Sequence, residues 1–210
     1  MIRILIIDDH AIVRRGLRDI VADTPDMEVV VEASNGHEGL RMARKSEPDV
    51  ILLDISMPGL SGLETLQQIK AERPSRQVLM LSMFPEEQYA VRALKLGASG
   101  YLTKESAPDE LIAAIRKVAS GGRYVNNSLA EKLAEYVGGE NGLPLHHTLS
   151  NRELQVMLMI ATGKSVKNIA DQLSLSVKTI STHRTRLLQK MQLHNNAELV
   201  RYALDQGLST

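Results

Sequence analysis

Five short apolar runs punctuate the first 120 residues, and each is followed by a longer amphipathic stretch, an alternation that few folds accommodate. The runs Ile4–Ile7, Val29–Ala33, Val50–Leu53, Val78–Leu81 and Gly100–Thr103 have strand length, and the stretches 11–23, 36–45, 62–72, 86–96 and 108–120 carry the helical period. Val50-Ile51-Leu52-Leu53 is apolar at every position, so neither face of that strand is built to meet water. Such a run suits the centre of a parallel sheet covered by helices on both sides. The reading is a doubly wound α/β domain on a parallel five-stranded sheet.

The alternation stops after Ser120. Gly121-Gly122 follows, then a helical segment predicted around Ser128–Tyr136, then Gly138-Gly139-Glu140-Asn141-Gly142 with Pro144 close behind, the composition of a flexible linker. From Leu149 the strand signal is gone and four helices are predicted, near 151–162, 166–173, 177–191 and 196–206. The expected organisation is an α/β domain over 1–122, a linker with a short helix over 123–147, and an all-α four-helix domain over 148–210.

Formal net charge is zero over 210 residues, which by itself argues against a polyanionic partner. The distribution argues for one. Residues 1–125 hold 16 basic and 18 acidic side chains, whereas residues 148–210 hold 8 and 4, so only the last segment is basic. Between Val177 and Met191 lie Lys178, Arg184, Arg186 and Lys190 and no acid, which concentrates the positive charge on one helix. The chain has no cysteine, which excludes disulfides, thiol nucleophiles and thiolate metal sites. No apolar run approaches the roughly 20 residues that span a bilayer, and no cleavable leader is recognisable. The expectation is a cytoplasmic protein with no membrane partner.

In an open parallel sheet, ligands bind beyond the carboxyl ends of the strands. Here the first predicted strand ends in Asp8-Asp9, the third in Asp54, the fourth in Ser82 and the fifth in Thr103-Lys104. Three clustered carboxylates repel one another and are best reconciled by a hard divalent cation such as Mg²⁺. One carboxylate can then attack phosphorus while Lys104 pairs with phosphoryl oxygens and Ser82 donates a hydrogen bond. Asp54 is the expected nucleophile, because it stands alone at a central strand end and precedes Ile-Ser-Met-Pro-Gly, a turn able to expose it. Any one of these aspartates alone would read as a solvated cap; the set, with Ser82 and Lys104, does not.

These pieces, Ile-Ile-Asp8-Asp9-His, Leu-Leu-Asp54-Ile-Ser-Met-Pro-Gly, Leu-Ser82 and Gly-Ala-Ser-Gly-Tyr101-Leu-Thr-Lys104, closely resemble the two-component response regulators of the NarL/FixJ (LuxR) type over almost the whole chain. The resemblance implies a flavodoxin-like receiver domain in which Asp54 accepts phosphate from a histidine kinase. It implies that Asp8, Asp9, Asp54 and a backbone oxygen of Ser56 hold Mg²⁺, that Lys104 and Ser82 contact the phosphoryl group, and that Ser82 with Tyr101 forms a switch pair. Ser82 stands where threonine is also common, which keeps the hydroxyl and loses a methyl.

Ser165–Leu173 and Val177–Met191, separated by Ser-Leu-Ser, have the form of a helix-turn-helix. Ile169, Leu173, Val177, Ile180, Leu187 and Leu188 are assigned to the inward side, and Lys178, Ser181, Thr182, Thr185 and Arg186 to the outer. Small hydroxyls and cations on one face suit a major groove, hydroxyls reaching base edges and cations meeting phosphates. By resemblance to the family's DNA-binding unit, Ser181, Thr182 and Thr185 face bases, and Lys178, Thr179, Arg184, Arg186 and Lys190 lie near the backbone, with His183 outside this set. Val166-Lys167-Asn168 departs from relatives that often carry Asn then Lys-Glu there, so backbone contacts from that helix are expected to differ. His146-His147 reads as an exposed pair rather than a metal site, and Met157 and Met159 as core filling.

The expected function is a response regulator whose phosphorylation controls dimerisation and sequence-specific binding to double-stranded DNA, at an inverted repeat, with RNA polymerase as a further partner the family allows. Phosphorylation is expected to draw Ser82 and Tyr101 inward and reshape the surface near 84–96 and 105–115. No enzymatic turnover is expected beyond self-phosphorylation and slow autodephosphorylation. Two alternatives stand beside it: a DNA-binding regulator with a degenerate receiver, and a phosphatase working through an aspartyl phosphate, which Ser56 in place of a second acid disfavours.

Overall fold

The computed structural model describes residues 1–83, 86–126, 129–131 and 144–208. The chain folds as two compact units, Met1–Leu133 and Ala134–Thr210. The predicted 128–136 helix is described only at 129–131, which are helical; its remainder, the glycine-rich linker at 138–142, and Phe84 lie outside the described residues.

The first unit alternates β1 (Ile2–Ile7), α1 (Ala11–Ala22), β2 (Met27–Ala33), α2 (Gly36–Ser46), β3 (Val50–Asp54), α3 (Gly62–Glu72), β4 (Gln77–Ser82), α4 (Glu86–Lys95), β5 (Gly100–Thr103) and α5 (Pro108–Ala119). All neighbouring strands are parallel, in the order β2-β1-β3-β4-β5. Period-two alternation splits the central strands between two cores. Ile4, Ile6, Val50, Leu52, Leu79 and Leu81 pack with Leu17 and Val21 of α1 and Leu111, Ile115 and Val118 of α5. Leu5, Ile7, Ile51, Leu53, Val78 and Met80 are buried on the other side, where α2 is packed so closely that a Cβ on Gly39 would meet Ile7. Val50–Leu53 is buried throughout, as its composition demands.

The second unit holds a 3₁₀ turn (Leu145–Thr148) and helices α6 (Asn151–Ala161), α7 (Val166–Leu173), α8 (Val177–Lys190) and α9 (Asn196–Asp205). Each of these helices starts at a side-chain cap: Ser150, Ser165, Ser176 and Asn195 accept from the backbone N–H three residues on. Such caps contribute about 1 kcal/mol each. Ser174, in the left-handed region at φ 53°, ends α7 and lets Ser174-Leu175-Ser176 turn into α8. Leu154, Met157, Leu158, Ile169, Leu173, Ile180, Leu187, Leu188, Leu199 and Ala203 form the core, and Met159 is buried with them.

Two expectations are corrected. Val177, assigned to the inward side, is 51% exposed, because as the first residue of α8 it lies beyond the reach of the packed core. His146, read as exposed, is buried: its ring nitrogen Nδ1 lies 3.0 Å from the Tyr202 hydroxyl, which fastens the 3₁₀ turn to α9. Among the described residues, no helix is long and apolar enough to cross a membrane.

Candidate functional site

Adjacent strands β1 and β3 lead into connections that run to opposite sides of the sheet order, and this reversal opens a crevice at their carboxyl ends. Asp8 leaves the end of β1 and Asp54 is the last residue of β3, so both carboxylates enter that crevice. Each is about 1% exposed, while Asp9 is a quarter exposed. The loop after Asp54 folds back tightly: Gly62 N–H donates to the Ile55 carbonyl, and a Cβ at Gly62 would lie 2.0 Å from the Asp54 carbonyl oxygen. Only glycine fits there.

Lys104 reaches in from the end of β5, its backbone N–H held by the Ser82 carbonyl at 2.7 Å. Its ammonium lies 2.7 Å from Asp8 Oδ2 and 3.0 Å from Asp54 Oδ1. One cation thus serves two buried anions, and Asp54 Oδ2 and the Ser56 hydroxyl remain buried without a hydrogen-bond partner. Burial pushes the Asp54 carboxyl up to about 6; Lys104 pulls the other way, and the neighbouring Asp8 carboxylate adds to the rise. Ser82 and Tyr101 are both fully buried.

Two residues of this crevice were not singled out in the sequence. Arg14 of α1 donates to the Asp8 carbonyl at 2.7 Å and pairs with Glu32 of β2, bracing the turn that carries the acids. His10 caps no helix hydrogen bond, but its Nδ1 lies 3.0 Å from Asp9 Oδ1 and 3.3 Å from Asp8 Oδ1. Its adjacency to a paired acid was the available signal. One ligand atom from each of Asp8, Asp9, His10 and Asp54 falls within a 4.8 Å set. Clustered carboxylates with an orphaned buried oxygen fit a divalent cation.

In the second unit, α8 exposes Lys178, Ser181, Thr182, Thr185 and Arg186 on one face, with Thr179 and Arg184 half-buried at its margins. Thr182 and Thr185 donate their hydroxyl protons to the carbonyls of Lys178 and Ser181, at 2.9 and 3.0 Å, which leaves oxygen lone pairs to accept from outside. Two cations at the margins are engaged within the unit. Arg184 Nε donates to Asn196 at 2.6 Å, and Lys190 Nζ lies 2.7 Å from Glu153. Glu153 closes the capping box of α6; burial raises its pKa, but Lys190 and the Ser150 hydrogen bonds outweigh that and hold it below the usual carboxylate value.

Residues 4–116 match the family described as the response regulator receiver domain, and residues 147–203 match the luxR family of bacterial regulatory proteins. The response regulator UvrY of Escherichia coli K12 is 39% identical over 99% of this chain and 96% of its own length. The response regulator GacA of Pseudomonas aeruginosa is 36% identical over 99% and 98%. Among solved structures, RcsB of Salmonella enterica serovar Typhimurium, bound to the promoter rprA in the presence of the phosphomimetic BeF3-, aligns at 27% identity with a TM-score of 0.66, covering 96% of this chain and 97% of that one.

Proposed function

This chain belongs to the response regulators that join a receiver domain to a LuxR-type DNA-binding domain, and from that premise we propose that phosphorylation of Asp54 governs how α8 engages DNA. The observation that carries the proposal is Asp54 itself, buried beside Lys104 with one oxygen unpartnered. Asp8, Asp9, Asp54 and the Ser56 backbone oxygen would hold Mg²⁺, which when bound supplies positive charge to the phosphoryl oxygens. The Asp54 carboxylate attacks phosphorus, its new O–P bond forming as the P–N bond of a kinase phosphohistidine breaks. Lys104 turns its ammonium to the phosphoryl group as the Asp54 charge is consumed, and Ser82 donates a hydrogen bond from the end of β4. The transfer ends on the protein itself: Ser56 offers no second acid to protonate a leaving group, so external phosphomonoesters are not turned over.

In the reader, Ser181, Thr182 and Thr185 accept from base edges, while Lys178, Thr179, Arg184, Arg186 and Lys190 supply the phosphate side of the interface. A phosphorylated homodimer, joined through α9, places two copies of α8 on an inverted repeat whose half-sites lie about one helical turn apart. Histidine kinase, double-stranded DNA and RNA polymerase at the promoter are the partners, and all three meet in the cytoplasm.

The test is the protein's mass after incubation with Mg²⁺ and acetyl phosphate. The expected result is a labile adduct of about 80 Da on the wild type and none on Asp54→Ala. Equal labelling of both would assign the chemistry elsewhere.

A further inference from the structure

The chain does not leave the receiver where α5 ends. After Gly121-Gly122 it runs back along β5, the edge strand of the sheet, where Tyr124 N–H donates to the Ser99 carbonyl at 2.9 Å and Tyr124 forms a parallel bridge with Gly100. The approach is close: a Cβ on Gly100 would lie 2.8 Å from the Tyr124 carbonyl oxygen. The side chain meanwhile lies along α5. Its hydroxyl donates to Glu110 at 3.0 Å, and its ring centroid is 5.9 Å from the ammonium of Lys117, which shares a helix face with Glu110. Asn126 then caps the next helical turn, accepting from Leu129 N–H at 2.9 Å, and Leu129 is fully buried. Tyr124 thus holds β5 through its backbone and α5 through its ring, so the first stretch of chain beyond α5 is built into the receiver.

We infer that Tyr124 is a positioning residue that carries the phosphorylation state of Asp54 toward the reader, by holding the start of the linker on β5 and α5. The inference rests on control of α8 by Asp54 and adds the segment through which that control passes. Gly100 is followed directly by the fully buried Tyr101. Ser99 is tied to β4, its hydroxyl donating to Gln77 at 2.6 Å and accepting from Val78 N–H at 3.2 Å. A shift of β5 against β4 or α5 therefore acts on Tyr124 at once. A chain tethered by glycines alone would not register that shift, whereas one bonded to both elements must follow it or break its contacts. Coupling between distant sites needs an element whose state both sites bias. Covering a bare strand edge is the plainer role of the same bridge, and it leaves the response to phosphate untouched.

Two readouts on the full-length protein separate these roles: the mass adduct formed with Mg²⁺ and acetyl phosphate, and the change in affinity for a selected duplex that the same treatment produces. In Tyr124→Ala the adduct is expected to form as in the wild type, while the effect of the phosphodonor on affinity falls from about tenfold to within about twofold. Tyr124→Phe and Glu110→Ala each remove only the hydrogen bond to α5. Each is expected to reduce the effect partway, and the double variant no further than either alone. A Tyr124→Ala response equal to that of the wild type overturns the inference. Should that variant fail to fold, the hydrogen-bond variants decide, and a full response in both overturns it. Loss of the adduct from Tyr124→Phe also overturns it, because Tyr124 would then act in the phosphorylation site rather than after it. A wild type that takes the adduct without changing its DNA affinity overturns control by Asp54 itself, and this inference with it.

Discussion

Lys104 Nζ lies 3.0 Å from Asp54 Oδ1, while the other oxygen of that carboxylate, Oδ2, is buried with no hydrogen bond. The lysine is shared with Asp8 at 2.7 Å, so the site carries more negative than positive charge before any cation enters. A carboxylate held half-satisfied in this way costs the fold stability and is primed for an electrophile.

That cost has a pH signature. Burial raises the Asp54 pKa to about 6, above its value of about 3.9 in an unfolded chain. The native state therefore binds more protons between these values, and stability falls as pH rises from about 4 to about 6, by roughly 3 kcal/mol in total. Asp54→Asn removes the penalty. In urea unfolding it is expected to be more stable than wild type at pH 8, with the gain shrinking toward zero below pH 4. A gain independent of pH would contradict this origin.

Lys104→Ala leaves two buried carboxylates without their cation. Loss of one partner from a buried pair costs about 3 kcal/mol or more. The same change makes the pocket more anionic, so Mg²⁺ should bind more tightly, while phosphorylation by acetyl phosphate should slow by about a hundredfold. Weaker Mg²⁺ binding in this variant would show that Lys104 organises the acids rather than competing for them.

Two glycines separate close approach from helix propensity. Gly62→Ala forces a Cβ to within 2.0 Å of the Asp54 carbonyl oxygen, so the backbone must shift, and a loss of about 2 kcal/mol or more is expected together with slower phosphorylation. Gly16 lies within α1 with nothing within 4 Å of an added Cβ. Gly16→Ala should stabilise by about 0.5–1 kcal/mol. Thermal unfolding of the two variants checks both signs.

On α8 the exposed hydroxyls and cations should divide by kind of effect. Thr182→Val and Thr185→Val should leave stability within about 0.5 kcal/mol and weaken preferred duplexes by about 1–3 kcal/mol. Lys178→Ala and Arg186→Ala should weaken all duplexes and lower the salt slope by about one each. Lys190→Ala should instead also destabilise the unit by about 1–3 kcal/mol, because it strands the buried Glu153. Fluorescence anisotropy with salt titration, beside unfolding curves, distinguishes the three classes.

Elements whose burial is local were legible in the sequence. α3, α7 and β5 have the bounds that periodicity assigns them, and the convergence of Asp8, Asp54 and Lys104 follows from where strands end. β1 and β2 begin two residues before their apolar runs, at Ile2 and Met27, because the pairing Ile2↔Met27 and Arg3↔Glu28 carries the ladder past the exposed, charged Arg3 and Glu28, which interrupt the apolar signal. The 3₁₀ turn at Leu145–Thr148 was hidden because what buries His146 is Tyr202, 56 residues away. Val177 was misplaced because helical period gives a direction but not whether a partner lies in that direction. Arg14 at the Asp8 carbonyl and the double contact of Lys104 likewise depend on how elements meet in space.

The most direct test of the central claim is the affinity of full-length protein for duplexes selected from a random pool, measured with and without Mg²⁺ and acetyl phosphate, for wild type and Asp54→Asn. Control through Asp54 requires that the phosphodonor tighten binding by wild type, by about tenfold if the coupling is near 1.4 kcal/mol, and leave Asp54→Asn unchanged. The same affinity for both proteins under both conditions would contradict it, and would leave a DNA-binding protein whose receiver does not govern its reader.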